Sequence, residues 1–384
     1  MLSKWNDWRP GVLNKKQIRA LVEGKKLKDF DENGLDHSAI DLHINDIGHK
    51  MKGSLKPLKD DIPSIIGAHE DRSDTAHTPF KKDGKFYLKK GQTYIFQLKE
   101  HLYLEGTNIS GQATGKSSFG RLDVLTRLLT NNSVSFDTVD QNYKGALWVE
   151  VTPITFPIII KPGVSLNQLR LIKGEPRHCR INEQDLHLWG DLISKQDLHN
   201  SNEINQNNLT LNLDEDPVLR EDICAFEAKE IGDEDESKYL DLTKNFDKEE
   251  NKYDPHKYWD SVKNREDSLP IITEKFYILR SIERFNLPKS VAIYCQAVTE
   301  NLGELRIHYA GFVHPLFGQG RKDGKGAPLI FEVRGHNIKT ILRHGETLAK
   351  LDYFWMSEDA EDEKQSTYND QELTLSKYFK NWGE

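Results

Sequence analysis

The chain has 384 residues, 30% of them charged and 36% hydrophobic, with a formal net charge of -8 at pH 7. Its mean hydropathy is -0.68, and no apolar run approaches the ~20 residues of a membrane helix, so a membrane role is not expected. The acidic balance also argues against a broad surface for a nucleic-acid backbone, while leaving room for a local basic pocket.

The length fits two domains of moderate size. The N-terminal MLSKWNDWRPGVL has no apolar stretch followed by a small-residue cleavage site, so a cytoplasmic protein is expected. Asn14 to Leu27 opens on a capping residue and spaces Ile18, Leu21 and Val22 as one face of a short amphipathic helix. From there to Lys173, short apolar or alternating runs such as TYIFQL, ALWVEV and FPIIIKPG are broken by Gly, Pro and Asn, which is a β pattern. Residues 176–268 are polar and acidic, with NSNEINQNN and GDEDESK among them, and read as a connector or insertion. The strand pattern resumes at Ile271.

Self-similarity organises the rest. Thr93 to Val124 aligns without a gap to Phe276 to Ile307, and Ala146 to Leu171 aligns to Pro328 to Tyr353. Two blocks in the same order predict tandem copies of one β domain: a first domain over 1–175, the connector, and a second domain over 269–384. Cys179, Cys224 and Cys295 lie far apart with no paired spacing, so neither a disulfide framework nor a zinc site is expected of them.

In the first copy GKSSFGR gathers Lys116, Ser117, Ser118 and Arg121 between glycines. Such a loop can aim backbone N–H groups, hydroxyls and cations at one polyanion, or it can be an ordinary polar turn. Downstream, VDQNYKGALWVEV carries Glu150 between Val149 and Val151. If both valines are core, the glutamate faces a cavity or solvent.

GKSSFGRLDV, VDQNYKGALWVEV and KPGVSLNQLRL together resemble the successive motifs of the dCTP deaminases of the dCTP deaminase and dUTPase superfamily. HSAIDLHI is similar to the family's early Ser-x-x-Asp-Leu strand, STYNDQELTLSK to its nucleotide-covering tail, and DPHKYWD with the overall length to its long two-copy bacterial form. The resemblance implies a mainly β fold, a tandem duplication of a dUTPase-like β-clip domain with a few short helices, assembled as a homotrimer with sites between subunits. It implies hydrolytic deamination of dCTP to dUTP and ammonia, supplying thymidylate synthesis. Glu150 would be the proton shuttle, and Ser117 and Arg121 would hold the water and the tetrahedral intermediate. Lys116, Ser118 and Gln168 would bind phosphates, Asp140 and Tyr143 the deoxyribose, and Tyr368, Gln371 and Lys377 of the tail would close over the triphosphate. Magnesium would ride on that anion, and the partners would be dCTP or dUTP, with dTTP as a candidate inhibitor.

A zinc-dependent deaminase would need a Pro-Cys-x-x-Cys segment beside its His-x-Glu. His344-Gly345-Glu346 has no such companion and aligns with the turn Pro162-Gly163-Val164, so no metal site is expected in the protein. In the second copy Thr299, Glu300 and Glu304 stand opposite Lys116, Ser117 and Arg121, and Lys350 opposite Gln168. Carboxylates there repel a triphosphate. Glu332, opposite Glu150, keeps its place, which leaves two arrangements: same-copy sites on Glu150, or composite sites that join the first copy's loop to Glu332. Hydrolysis of dUTP, alone or after deamination, is the rival activity, and a non-catalytic nucleotide sensor the rival of another class.

Overall fold

The structure, a computed structural model, describes residues 4–71, 80–186, 193–195, 207–219, 221–264, 266–297, 305–308, 311–321, 324–361 and 371–383. It is mainly β and divides into two units. The first joins Met1–Cys179 with Ile231–Asn245 and Met356–Glu361, and the second joins Arg180–Glu230 with Phe246–Trp355 and Asp362–Glu384.

In the first unit, strands β1 (Ile40–Lys50), β2 (Tyr94–Tyr103), β3 (Ile109–Gly115), β4 (Val124–Leu129), β5 (Lys144–Pro153) and β6 (Ser165–Lys173) are ordered β4-β5-β2-β1-β6-β3, all antiparallel. The second unit has β7 (Asn208–Asn212), β8 (Phe276–Phe285), β9 (Val291–Ala297), β10 (Leu305–His308), β11 (Ala327–Gly335) and β12 (Thr347–Trp355). They repeat the same order as β10-β11-β8-β7-β12-β9. The duplication expected from the two aligned blocks is thus present strand for strand. Each copy buries its own apolar face, with Leu209, Leu211, Leu279, Val291, Ile293 and Val333 fully enclosed in the second.

A buried glutamate pins the same irregularity in both copies. Pairing between β6 and β1 slips at His43, and pairing between β12 and β7 slips at Thr210. A slip of this kind frees a backbone N–H that burial makes costly to leave unmatched. Glu100, wholly buried, accepts the His43 N–H at 3.0 Å and His43 Nδ1 at 2.7 Å. Glu283 accepts the Thr210 N–H at 2.8 Å and its hydroxyl at 2.7 Å. The glutamate shared by the first pair of aligned blocks, Glu100 and Glu283, is therefore structural.

The second copy begins earlier than its composition suggests. Within residues 176–268, expected as a connector, Asn208–Asn212 is the counterpart of β1, and Ile223–Ala228 pairs with Trp259–Lys263 and with β8. Ile231–Asn245 instead belongs to the first unit, where Leu240–Asp241 pairs in parallel with Ile158–Ile160. Alternating Leu209, Leu211 and Leu213 carry the buried face of this stretch, but they are too few among acidic and amide residues to shift its average. The helix expected after Asn14 runs Lys15–Glu23 (α1), closed by a capping box between Asn14 and Gln17, and ends at Gly24.

The C-terminal residues are clasped by the second unit. Glu372 meets Arg280 Nη1 at 3.2 Å, Arg321 Nη2 at 2.9 Å and the Arg284 guanidinium, and Asp216 lies 3.3 Å from Arg280. Tyr253 and Phe379 exchange backbone hydrogen bonds through their neighbours, and Phe379 packs edge-on against Trp259 of the DPHKYWD segment. Removing the Glu372 carboxylate takes a charge partner from three guanidiniums at once, leaving Arg280 beside Asp216 and Arg284 and Arg321 on the carbonyls of Gly326 and Gln371. Glu372→Ala should lower the unfolding free energy by about 3 kcal/mol, measured as a lower urea midpoint; an unchanged midpoint would show that the clasp carries no weight.

Candidate active site

The first copy's loop starts where β3 runs out. The Lys116 N–H still bonds to the Leu166 carbonyl at 2.9 Å, after which Ser117–Gly120 forms a single helical turn (α3). Phe119 is buried and anchors it, while Ser117 remains exposed. Arg121 is buried, and its Nε donates to Ser117 Oγ at 3.1 Å. The Lys116 ammonium is ion-paired to Asp41 of β1. Asp41 lies opposite Gln168 in the ladder, and Gln168 in turn lies opposite Thr114, to which its amide donates at 3.2 Å. Lys116, Asp41, Gln168, Thr114 and Ser117 thus form one polar patch where β1, β6 and β3 meet α3.

Glu150 sits on another face of the same unit. It pairs with Ile95 of β2 and Arg127 of β4, so these three side chains share a face. Val149 and Val151 are fully buried on the opposite side. Glu150 does not face open solvent. It is 1% exposed beneath the segment joining β1 to helix α2 (Ile62–His69), and Met51, Ile62, Ile66, Ile95, Leu129 and Trp148 cluster around it with Leu55 and Phe136. Ser54 Oγ donates to Glu150 Oε1 at 2.7 Å, and the Leu55 N–H approaches Oε2 at 3.4 Å. Burial raises the Glu150 carboxyl above its ordinary range, opposed by Ser54, Arg127 and Leu55. Ser117 and Arg121 are not among its hydrogen-bond partners within the chain.

Two charged neighbours escaped the sequence reading. The Arg127 guanidinium stacks over Phe136 at 4.6 Å. Asp137, in the left-handed region with φ 61, accepts the Leu128 N–H at 2.7 Å. Burial pushes Asp137 up to about 7, against the pull of that N–H and Arg127, with the Glu150 charge adding to the rise. The partner of Arg127 was legible only through strand register, and Ser54 lies far from Glu150 in sequence.

Asp140 is exposed at the turn that leads into β5. The Tyr143 N–H bonds to the Asp140 carbonyl at 3.2 Å, and the Tyr143 hydroxyl donates to the Ala146 carbonyl at 2.6 Å. Burial drives that phenol up to about 12, so it serves as a packed ring and a donor rather than a proton carrier. Gln371 differs from the expected covering arm. It is buried, donating to the Pro328 carbonyl at 2.8 Å while its own carbonyl accepts from Arg321. Lys377 is exposed, its Nζ 5.7 Å from the Tyr378 ring; Tyr368 lies outside the described residues.

In the second copy Glu332 keeps the place of Glu150, opposite Ile278 as Glu150 is opposite Ile95. The second copy's counterpart of the polar patch differs. Asn208 and Lys350 stand where Asp41 and Gln168 form the first copy's patch, and Asp352 is held by Gln296 and, at 2.9 Å, by Arg180. Thr299, Glu300 and Glu304 lie outside the described residues. His344-Gly345-Glu346 forms a turn, with Gly345 at φ 80 and Glu346 Oε2 accepting the Arg343 N–H.

A raised carboxyl binds its proton more tightly in the folded than in the unfolded chain. Its contribution to stability is therefore full below the unfolded value and is lost as pH rises through the folded one. For Asp137 that window runs from 3.8 to about 7. Asp137→Asn should flatten the fall in urea stability across this range; parallel pH profiles of the two proteins would count against the assignment.

Residues 9–175 match the family model described as the 2'-deoxycytidine 5'-triphosphate deaminase N-terminal domain, and residues 182–379 match the corresponding C-terminal domain. The crystal structure of 2'-deoxycytidine 5'-triphosphate deaminase from Agrobacterium tumefaciens superposes with a TM-score of 0.77 at 29% identity, covering 92% of this chain and 99% of that one. Among curated relatives, dCTP deaminase of Ignicoccus hospitalis is 25% identical over 150 residues, 39% of this chain and 75% of its own. The dUMP-forming dCTP deaminase of Corynebacterium diphtheriae is 28% identical over 168 residues, 41% of this chain and 79% of its own. With both family models matched along nearly its whole length and a duplicated fold to go with them, the chain belongs to the dCTP deaminase family, in its two-domain long form.

Proposed function

We propose that this chain deaminates dCTP hydrolytically, releasing dUTP and ammonia, with Glu150 as its proton shuttle. The observation that carries the reading is a carboxyl group enclosed by apolar side chains and raised by burial, in the unit that also holds Lys116, Ser117, Ser118 and Arg121. A general base must take a proton and return it, and a carboxyl raised above its ordinary range holds that proton more readily. Glu150 takes a proton from water as oxygen bonds to cytosine C4 and passes it to N3 as the C4–N3 double bond opens; it then carries the proton of the new hydroxyl to the exocyclic nitrogen, which leaves as ammonia as C4=O forms, so that water and dCTP become dUTP and ammonia. Ser117 and Arg121 steady the water and the tetrahedral intermediate. Lys116, Ser118 and Gln168 bind the phosphates, and Asp140 with the Tyr143 ring contacts the deoxyribose.

Glu150 is not hydrogen-bonded to Ser117 or Arg121 within one chain, and this supports sites shared between subunits of a trimer. Magnesium carried by the triphosphate needs few protein oxygens, and Asp41, beside Lys116, is the hard donor in the patch that fits it. The relatives named as dUMP-forming give weight to a second reading, in which the retained Asp140 and Tyr143 also support cleavage of dUTP.

Glu150→Gln should abolish ammonia release from dCTP, at least a thousandfold, while nucleotide binding persists; Glu332→Gln should keep turnover. Loss only in Glu332→Gln would move the chemistry to a composite site. Pyrophosphate appearing with ammonia would establish the dUMP-forming reading.

A further inference from the structure

The segment that roofs Glu150 does more than exclude water, because its two hydrogen bonds to the carboxylate are unequal. Ser54 Oγ lies 2.7 Å from Oε1, the length of a strong bond to an ionised acceptor, whereas the Leu55 N–H stands 3.4 Å from Oε2, near the limit for any hydrogen bond. One carboxylate oxygen is held and the other is barely engaged.

We propose that Ser54 is a positioning residue for deamination: it fixes Glu150 through Oε1 and leaves Oε2 as the oxygen that takes the proton from water and hands it on. This rests on the reading of Glu150 as the proton shuttle. The charged groups facing the carboxylate from the packed elements are Arg127 of β4 and Asp137 before β5, and neither supplies a directional bond to Oε1. The aliphatic side chains of Ile62, Ile66, Ile95 and Leu129 cannot do so either. A carboxylate with one oxygen clamped cannot swing about its terminal torsion, so the working oxygen presents the same lone pair to each water. Ser54 is itself exposed, so its hydroxyl can be removed without opening a cavity in the core.

The test compares Ser54→Ala, Ser54→Thr and Glu150→Gln in the full-length protein with dCTP as substrate, following ammonia across pH. In Ser54→Ala, kcat should fall about tenfold with KM little changed. Loss of a donor to the ionised form should also move the acidic limb of the kcat/KM profile to higher pH. Ser54→Thr, which keeps the hydroxyl, should recover most of the loss. If Glu150→Gln is inactive while Ser54→Ala matches wild type in kcat and pH profile, the Ser54 proposal fails and the Glu150 reading stands. A rise in KM alone would also overturn it, since that assigns Ser54 to substrate binding. Turnover by Glu150→Gln would sink both.

Discussion

A carboxylate kept from water must find hydrogen bonds, an opposite charge or a proton. At Glu150 the surroundings offer some of each and not enough of any. One hydroxyl binds well, one N–H binds poorly, and a guanidinium stands across the ladder. The apolar cluster then tips the balance toward the protonated form. A carboxyl raised by burial, with few hydrogen bonds to its charged form, is the kind of group that proton transfer calls on.

The other buried carboxylates show the contrast. Glu100 and Glu283 each receive a backbone N–H and a side-chain donor at short distance. Glu372 meets guanidiniums on both oxygens. Each of these is fully occupied and serves the architecture, either by repairing a slipped ladder or by fastening the C-terminal residues. Against these three, Glu150 has one short hydrogen bond and one long one.

Much of this was legible in the residue order. The repeated skeleton survived because the positions it shares, Tyr94 and Tyr277, Ile95 and Ile278, Glu100 and Glu283, face the interior or repair the sheet in both copies, where substitution is costly. The loop Lys116 to Arg121 was legible because short-range geometry brings its polar groups together. Contacts made by chain crossings were not. Ser54 and Arg127 reach Glu150 only through folding, and Asp41 reaches Lys116 across the sheet. β7 was hidden because three alternating leucines cannot outweigh the acidic residues on either side. Gln371 has the look of a mobile tail residue, and only the arginines beneath it reveal that it is buried.

Each unit is assembled from separated stretches of chain, and this bears on how the protein comes into being. Ser357 takes a hydrogen bond from Gln17 and gives its own hydroxyl and amide protons to Arg9 and Val12, so residues 9–17 await a residue made more than three hundred positions later. The arginine cluster of the second unit has a similar delay until Glu372 is added. During vectorial synthesis on a ribosome, neither half reaches its final packing while the nascent chain is still short. Both stay open to chaperones and proteases until those later stretches have been made.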